Sequence, residues 1–529
     1  MAKGEVLWSE GDQRFDFYVV LKGEVEVVES SSGAEQAVTV HRPGEFTGDV
    51  DTLTGRGSLV TGRVTKAGEV LEIDPDALRR VVAELPEISD VLLRAFLMRR
   101  SLLLGQGYQG LRIIGSRFSP AAHTLRDFLS RNAVPFTWLD LEQDEQAEEL
   151  LRRLGIGAGE TPVVIGYEER VLRNPNVAEL AADVGLATPV NHGDVYDLVI
   201  VGAGPAGLAA SVYAASEGLH TVTIDAVAPG GQAGTSARIE NYLGFPAGIS
   251  GADLTRYAML QVQKFGGQIS VPRVAVGLRL DGGRRVVRLE DGDEIVARCV
   301  LVASGADYRR LHVPRLEQFE GAGVYYAASG IEARLCEGDQ VVVVGGGNSA
   351  GQAIVSLARF ARKVHVVIRG SDLGTSMSRY LVDQIESIPN VEIHRQREVV
   401  ALEGEQALTG VRIAHRGKEG KLEPGSEQQI AAPALFVFIG AKPHTGWLDG
   451  CVRLDRKGFV LTGAAVPRDA LASDAWRAAG RPPYFLETSL PGVFAAGDVR
   501  SGSAKRVAGA VGEGAMAVSF VHAFLGTAV

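Results

Sequence analysis

The stretch Leu198-Val199-Ile200-Val201-Gly202-Ala203-Gly204-Pro205-Ala206-Gly207 decides the fold of the larger part of this chain. Four apolar residues, the mark of a buried strand, run straight into Gly-x-Gly-x-x-Gly, and a helix is expected over Leu208 to Ser216. Gly202 permits the tight turn, Gly204 lets the backbone approach a pyrophosphate, and Gly207 lets the helix pack on the strand. Pro205 and Ala206 stand at the helix entry, where free N–H groups and the positive dipole end attract phosphate. The next strand, Thr221-Val222-Thr223-Ile224, ends at Asp225, placed for a ribose hydroxyl pair. Strand, glycine turn, helix and acidic strand end together read as a dinucleotide-binding frame.

Working outward, the chain repeats the device. Val341-Val342-Val343-Val344 leads into Gly345-Gly346-Gly347-Asn348-Ser349-Ala350. Gly345, Gly347 and Ala350 take the three fingerprint places, with Asn348 and Ser349 at the helix entry. Its second strand, Val364-His365-Val366-Val367-Ile368, is followed by Arg369. An acidic residue there would favour NADH, whereas an arginine accepts a 2′-phosphate, so NADPH is expected and NADH is possible. From Val195 to Val529 strands and helices alternate, which implies parallel α/β layers.

Towards the N-terminus the pattern changes. The first ~75 residues alternate apolar and polar, as in short antiparallel strands. Phe17–Leu21 and Val25–Val28 flank Lys22-Gly23-Glu24, which reads as a hairpin, and one helical stretch is expected from Pro75 to about Leu104. The block from Gly11 to Val25 resembles the start of a cyclic-nucleotide-binding β-roll. In that family a Glu holds the ribose 2′-OH and an Arg pairs with the cyclic phosphate. Here Asp49 stands for the Glu and Arg56 arrives early, so a ligand-free docking or regulatory roll is the favoured reading. After a linker at Gly105-Gln106-Gly107, the order strand 111–115, helix 120–132, strand 135–141, helix 142–154, strand 161–165, helix 176–184 resembles the thioredoxin fold. Thr161-Pro162 matches its cis-proline turn. The loop that carries a cysteine pair in that fold reads Ser116-Arg117-Phe118-Ser119, and a serine hydroxyl cannot exchange a disulfide.

Residues 195–529 resemble bacterial thioredoxin reductases. The resemblance rests on both fingerprints and on Gly230-Gly231-Gln232-Ala233. It rests also on Ile239-Glu240-Asn241-Tyr242-Leu243-Gly244-Phe245-Pro246, on Ala303-Ser304-Gly305-Ala306, and on Phe494-Ala495-Ala496-Gly497-Asp498. It implies FAD on Gly231, Gln232, Asn241, Ala303, Ser304, Gly305, Gly497 and Asp498. Arg506-Val507-Ala508 matches the flavin-edge segment in part, with Ala508 in the candidate set. The family's fuller arginine pattern after the second strand is reduced to Arg369, with Arg379 nearby. Where that family has Cys-x-x-Cys, this chain reads Ala327-Ala328-Ser329-Gly330. Cys299, Cys336 and Cys451 are widely spaced, which excludes a disulfide framework and a Cys-x-x-Cys metal site, and each reads as a structural thiol.

The 529 residues carry a net charge of -10, which repels phosphate backbones and argues against nucleic acid. No run approaches the ~18 consecutive apolar residues of a membrane helix, and Met1–Val6 lacks the core of a signal peptide. The chain reads as soluble and cytoplasmic. The expected fold is multidomain: an N-terminal β-roll (1–104), a central thioredoxin-like α/β domain (108–188), and a C-terminal module of two Rossmann-like dinucleotide-binding domains. In that module an FAD lobe (194–313 and 435–529) is interrupted by an NAD(P)H lobe (314–434). The expected function is an NAD(P)H-dependent FAD oxidoreductase with no catalytic side chain of its own, passing electrons to a small-molecule or protein acceptor without an internal dithiol. One class of ferredoxin–NADP reductases sets a precedent. A non-catalytic flavin sensor or scaffold is the alternative, and disulfide reduction by an unusual route the third. The resemblance implies a homodimer.

Overall fold

The computed structural model of the chain describes residues 1–529 apart from 13–14, 32–33, 55–56, 106–110, 167–169, 188–192, 237, 240, 321, 327, 329–332, 335, 406, 418–420, 449 and 527–529. The N-terminal unit has four antiparallel strands: β1 (Val6–Trp8), β2 (Phe17–Ser31), β3 (Ala34–His41) and β4 (Thr61–Ile73). They lie in the order β1-β4-β2-β3. Helix α1 (Val50–Thr54) precedes β4, and α2 (Pro75–Glu84) and α3 (Pro86–Gly105) close the unit. Two expectations fail here. Lys22-Gly23-Glu24 is no hairpin turn, because β2 runs through it. Gly23 has φ 91° at a point where the register against β4 shifts, and a Cβ there would collide with the Lys66 carbonyl. The glycine serves a bulge rather than a turn. The single helix expected over 75–104 is two helices, because Pro86 has no N–H to extend the first.

The second unit runs β5 (Arg112–Gly115), α4 (Pro120–Arg131), β6 (Thr137–Asp140), α5 (Glu145–Arg153), β7 (Val163–Ile165), β8 (Val171–Arg173) and α6 (Val177–Asp183). The strand order is β6-β5-β7-β8, with β5 and β6 parallel and the other pairs antiparallel. The Thr161–Pro162 peptide is cis, as expected. Strand β8 went unread in the sequence: three residues are too few to show a period.

The third unit is built on β9 (Val195–Val201), α7 (Pro205–Ser216), β10 (Thr221–Ile224), α8 (Gly231–Gly234), α9 (Gly251–Lys264) and β11 (Gln268–Ser270). It continues through β12 (Ala275–Asp281), β13 (Arg284–Leu289) and β14 (Glu294–Val302). Its sheet order is β11-β10-β9-β14-β13-β12. The chain then leaves through β15 (Ala306–Tyr308) and α10 (Leu316–Phe319) into the fourth unit. There β16 (Val324–Tyr325), β17 (Gln340–Val344), α11 (Asn348–Leu357), β18 (Lys363–Ile368), α12 (Arg379–Glu386) and β19 (Val391–Arg395) build a second parallel sheet. An antiparallel meander of β20 (Arg397–Gly404), β21 (Leu408–His415) and β22 (Gln428–Ala431) follows, and β23 (Ala434–Val437) completes the order β16-β23-β17-β18-β19. The return strand β24 (Ala441–Pro443) pairs with β15, so a two-stranded ribbon joins the lobes. Helix α13 (Asp474–Ala479), β25 (Val493–Ala495) and α14 (Val507–Leu525) complete the third unit, with β25 on the C-terminal half of β14.

Among the described residues α14 alone is long and apolar enough to cross a membrane. Its place explains its composition otherwise. Ala517, Val518 and Val521 sit in one core with Leu198, Ile200 and Phe494. A Cβ on Gly514 would collide with the Ala206 carbonyl, so α14 presses directly on α7.

Candidate nucleotide and flavin site

The first glycine turn is sterically determined. Gly202 has φ 107°, and a Cβ there would strike the Ala303 carbonyl. A Cβ on Gly207 would strike the Gly202 carbonyl, so no other residue lets α7 start this close to β9. The turn opens on a cavity of about 500 Å³, lined by Gly202, Gly204, Pro205 and Ala206. Gly231 crosses close by: a Cβ on it would lie 3.0 Å from the Gly204 Cα. Two bare backbones thus pack on each other at the cavity wall, and the free N–H end of α7 beside them is a cradle suited to a pyrophosphate.

The other residues expected on the FAD side converge on this cavity. Gln232 and Asn241 line it, as do Ala303, Ser304 and Gly305 at the end of β14, and Gly497 and Asp498 after β25. Asp225 lines it too, but its carboxylate already works on the backbone. One oxygen accepts the Ala203 N–H at 2.8 Å, and the other accepts those of Val227 and Ala228 at 3.0 and 3.1 Å. It braces the turn as well as facing the ribose position. The Ser304 hydroxyl donates to the His444 carbonyl at 2.8 Å, tying the flavin side to the ribbon between the lobes. Burial raises the Asp498 carboxyl, with Lys505 acting against the shift. Ala508 is exposed and does not line the cavity, while Val507 and Ala510 do. Residues three apart share a helix face, and Ala508 falls a third of a turn away.

The second frame meets the same cavity from the opposite side. Asn348 and Ser349, at the start of α11, line it together with Gln352. Asn348 also accepts the Ser378 N–H at 2.7 Å, and Ser376 donates to the Gly346 carbonyl at 2.7 Å, so the turn is held from outside. Gly345, φ 139°, approaches the Phe438 carbonyl too closely for a Cβ. Gly345, Gly347, Ala350 and Arg369 do not line the shared cavity. Ala350 is buried against the sheet, and Arg369 is exposed at the end of β18.

Ala327 and Gly330 lie outside the described residues. Between them Ala328 is buried and lines the cavity. None of the three cysteines lines the cavity. Cys299 is buried in β14, where burial pushes its thiol up to about 12. Cys336 lies in the core with Val341 and Ala350. Cys451 donates to the Leu278 carbonyl at 2.7 Å. Cys299 is therefore a poor thiolate.

The front units show the same replacement of chemistry by structure. Ser116 donates to Glu142 at 2.8 Å, Arg117 pairs with the nearly buried Asp140 at 2.5 Å, and Ser119 caps α4. In the roll Asp49 is partly buried and paired with Arg100 at 3.1 Å, and Arg100 also holds the buried Asp51. Burial and the neighbouring Asp51 push Asp49 up to about 6. The carboxylate expected at a ribose hydroxyl is engaged within the fold, and Arg56 lies outside the described residues.

Three cavity cations escaped the sequence reading: Arg131, Arg273 and Lys505. Lys505 is seven residues from Asp498 and donates to its carbonyl at 2.8 Å, a proximity the sequence could have suggested. Arg131 comes from the second unit, and no local pattern marks it.

Two nucleotide frames opening on one cavity, joined by a ribbon, define a two-lobed nucleotide-dependent oxidoreductase. The chain belongs to the pyridine nucleotide-disulphide oxidoreductase family, which residues 196–514 match; residues 1–84 match the cyclic nucleotide-binding domain. It is 30% identical over 334 residues to a thioredoxin reductase of Mycoplasmopsis pulmonis, covering 62% of this chain and 97% of that one. The Lactococcus lactis thioredoxin reductase structure superposes with a TM-score of 0.54 at 25% identity, covering 62% of this chain and 99% of that one. The T. acidophilum thioredoxin reductase gives 0.53 at 27%, covering 62% and 98%.

Proposed function

We propose that the chain is an NAD(P)H-dependent FAD oxidoreductase that hands electrons to an outside acceptor without an internal dithiol. The carrying observation is the shared cavity, lined by Gly204 and Gly231 of the first frame and by Asn348 and Ser349 of the second, with none of the three cysteines on its wall. Bound FAD and nicotinamide would supply hydride transfer, the chemistry of the cofactors themselves. The chain's part is to hold the pyrophosphate on the α7 terminus, to brace the turn through Asp225, and to bring the second frame to the same opening. Arg369 favours NADPH by its place after β18. Candidate acceptors are a quinone, a ferredoxin-like protein, a disulfide on a separate protein, or oxygen.

The test is anaerobic stopped-flow on the flavin absorbance, followed by a panel of acceptors. Bleaching by NADPH faster than by NADH is expected, with reoxidation that survives replacing Cys299, Cys336 and Cys451. No bleaching by either nucleotide would refute the reading. A sensor reading draws on one specific observation: α4 of the second unit and its C-cap touch both lobes, the His123 ring lying tilted 5.5 Å from that of Tyr325 and Asn132 donating to the Val227 carbonyl at 3.2 Å. It predicts flavin reduction with no productive acceptor.

A further inference from the structure

The second unit has lost its dithiol loop to capping and ion pairing, yet one of its helices reaches the flavin cavity. Helix α4 ends at Arg131, which lines the cavity together with Gly204, Asp225 and Gly231. The guanidinium donates to the Gly231 carbonyl at 3.4 Å, and Gly231 is the residue that packs on Gly204. Asp127, one turn back, forms an ion pair with Arg131 at 3.7 Å, beyond hydrogen-bond range. The Arg131 Nε is buried and without a partner. A cation lining a cavity of bare backbone, with one N–H unspent and its ion pair to Asp127 too long for a hydrogen bond, is matched to an anion. The next residue fixes its approach. Asn132 is fully buried and its amide donates to the Phe128 carbonyl at 2.8 Å and to Val227 at 3.2 Å, so the end of α4 is anchored on the segment after Asp225.

We propose that the thioredoxin-like unit is a structural part of the flavin site, and that Arg131 binds the FAD pyrophosphate in the cavity beside Gly204 and Gly231. The inference rests on the reading of this cavity as the FAD site. Its consequence is a thermodynamic link: whatever shifts the docking of α4 changes FAD affinity, and FAD binding strengthens that docking. The loss of both cysteines from the Ser116–Ser119 loop is then compatible with keeping the unit, because its retained task is to supply a cation.

The test is the dissociation constant for FAD, read by flavin fluorescence quenching on reconstitution of the full-length apoprotein. Arg131→Gln is expected to weaken FAD about tenfold, the scale of one charge-assisted hydrogen bond. The loss should shrink at high salt, and Arg131→Lys should recover part of it. Arg152→Gln, an exposed cation on α5 of the same unit, makes the same change in net charge away from the cavity and should leave the constant within twofold. An unchanged constant for Arg131→Gln, in a protein whose wild type binds FAD, would overturn the inference. Failure of the wild type to bind FAD would instead defeat the underlying reading of the site. Circular dichroism on each apoprotein separates a lost contact from a lost fold.

Discussion

The two glycine turns of this chain share a pattern and differ in what they tolerate. In the first, the third small position is Gly207, and a Cβ there would strike the Gly202 carbonyl. In the second, the same place is Ala350, fully buried with its methyl group packed among Val341, Val343 and Ile354. The difference follows from what lies behind each helix. Helix α7 is pressed from the far side by α14, with Gly514 against the Ala206 carbonyl. Helix α11 is backed by Met377 and Leu381, flexible side chains that touch it at Gly351. A backbone-on-backbone layer fixes the first frame, and a side-chain layer cushions the second. The first frame therefore has less room to adjust to a substitution than the second.

The largest expected effect comes from removing the distinction on the tight side. Gly207→Ala forces α7 off β9 and should cost ~3 kcal/mol or more, read as loss of bound flavin and a lowered melting temperature. If it were tolerated, the comparison would fail.

Acid should separate the lobes next. His365 on β18 and His394 on β19 are buried, with ring nitrogens 3.0 Å apart, and His365 meets Gln340 at 2.9 Å. Burial lowers both, His365 to about 4, with His394 and Lys363 adding to the fall and Glu392 opposing it. In the unfolded chain a histidine takes up its proton near pH ~6.5. Between that pH and about 4 the unfolded state binds protons that the folded state refuses, so stability falls as pH falls through this window. A loss on the order of 2 kcal/mol is expected in the nucleotide lobe. Hydrogen exchange at pH 5 against pH 7 should show β18 and β19 deprotected ahead of β9 and β14.

Arg369→Ala tests the looser side by function. It should raise KM for NADPH about tenfold and leave NADH nearly unchanged, measured by steady-state kinetics with a dye acceptor. The smallest effect belongs to Ala350→Gly, the reverse of the first substitution. It removes a methyl group and adds backbone freedom, for a cost of ~1 kcal/mol, visible in thermal melts with no loss of flavin.

Much of the site was legible because its chemistry is local. The first fingerprint, Asp225, Gly231, Gln232 and Asn241 lie within about forty residues of one another, and each reaches the cavity. A three-residue resemblance at Arg506–Ala508 carries no helix phase, and Val507 and Ala510 are the side chains on the cavity face. The Lys22–Glu24 hairpin misled because glycine serves bulges and turns alike; only the pairing of β2 with β4 distinguishes them.

The sequence by itself determined the two nucleotide frames, their order and the missing thiols, since periodicity, glycine spacing and residue identity are properties of short stretches. The tertiary structure alone decided that both frames open on one cavity, that Asp49 is consumed by Arg100, and that Arg131 of the second unit stands beside Gly231 of the third. Those are contacts between segments tens to hundreds of residues apart, fixed by how whole layers pack, and no local pattern encodes them.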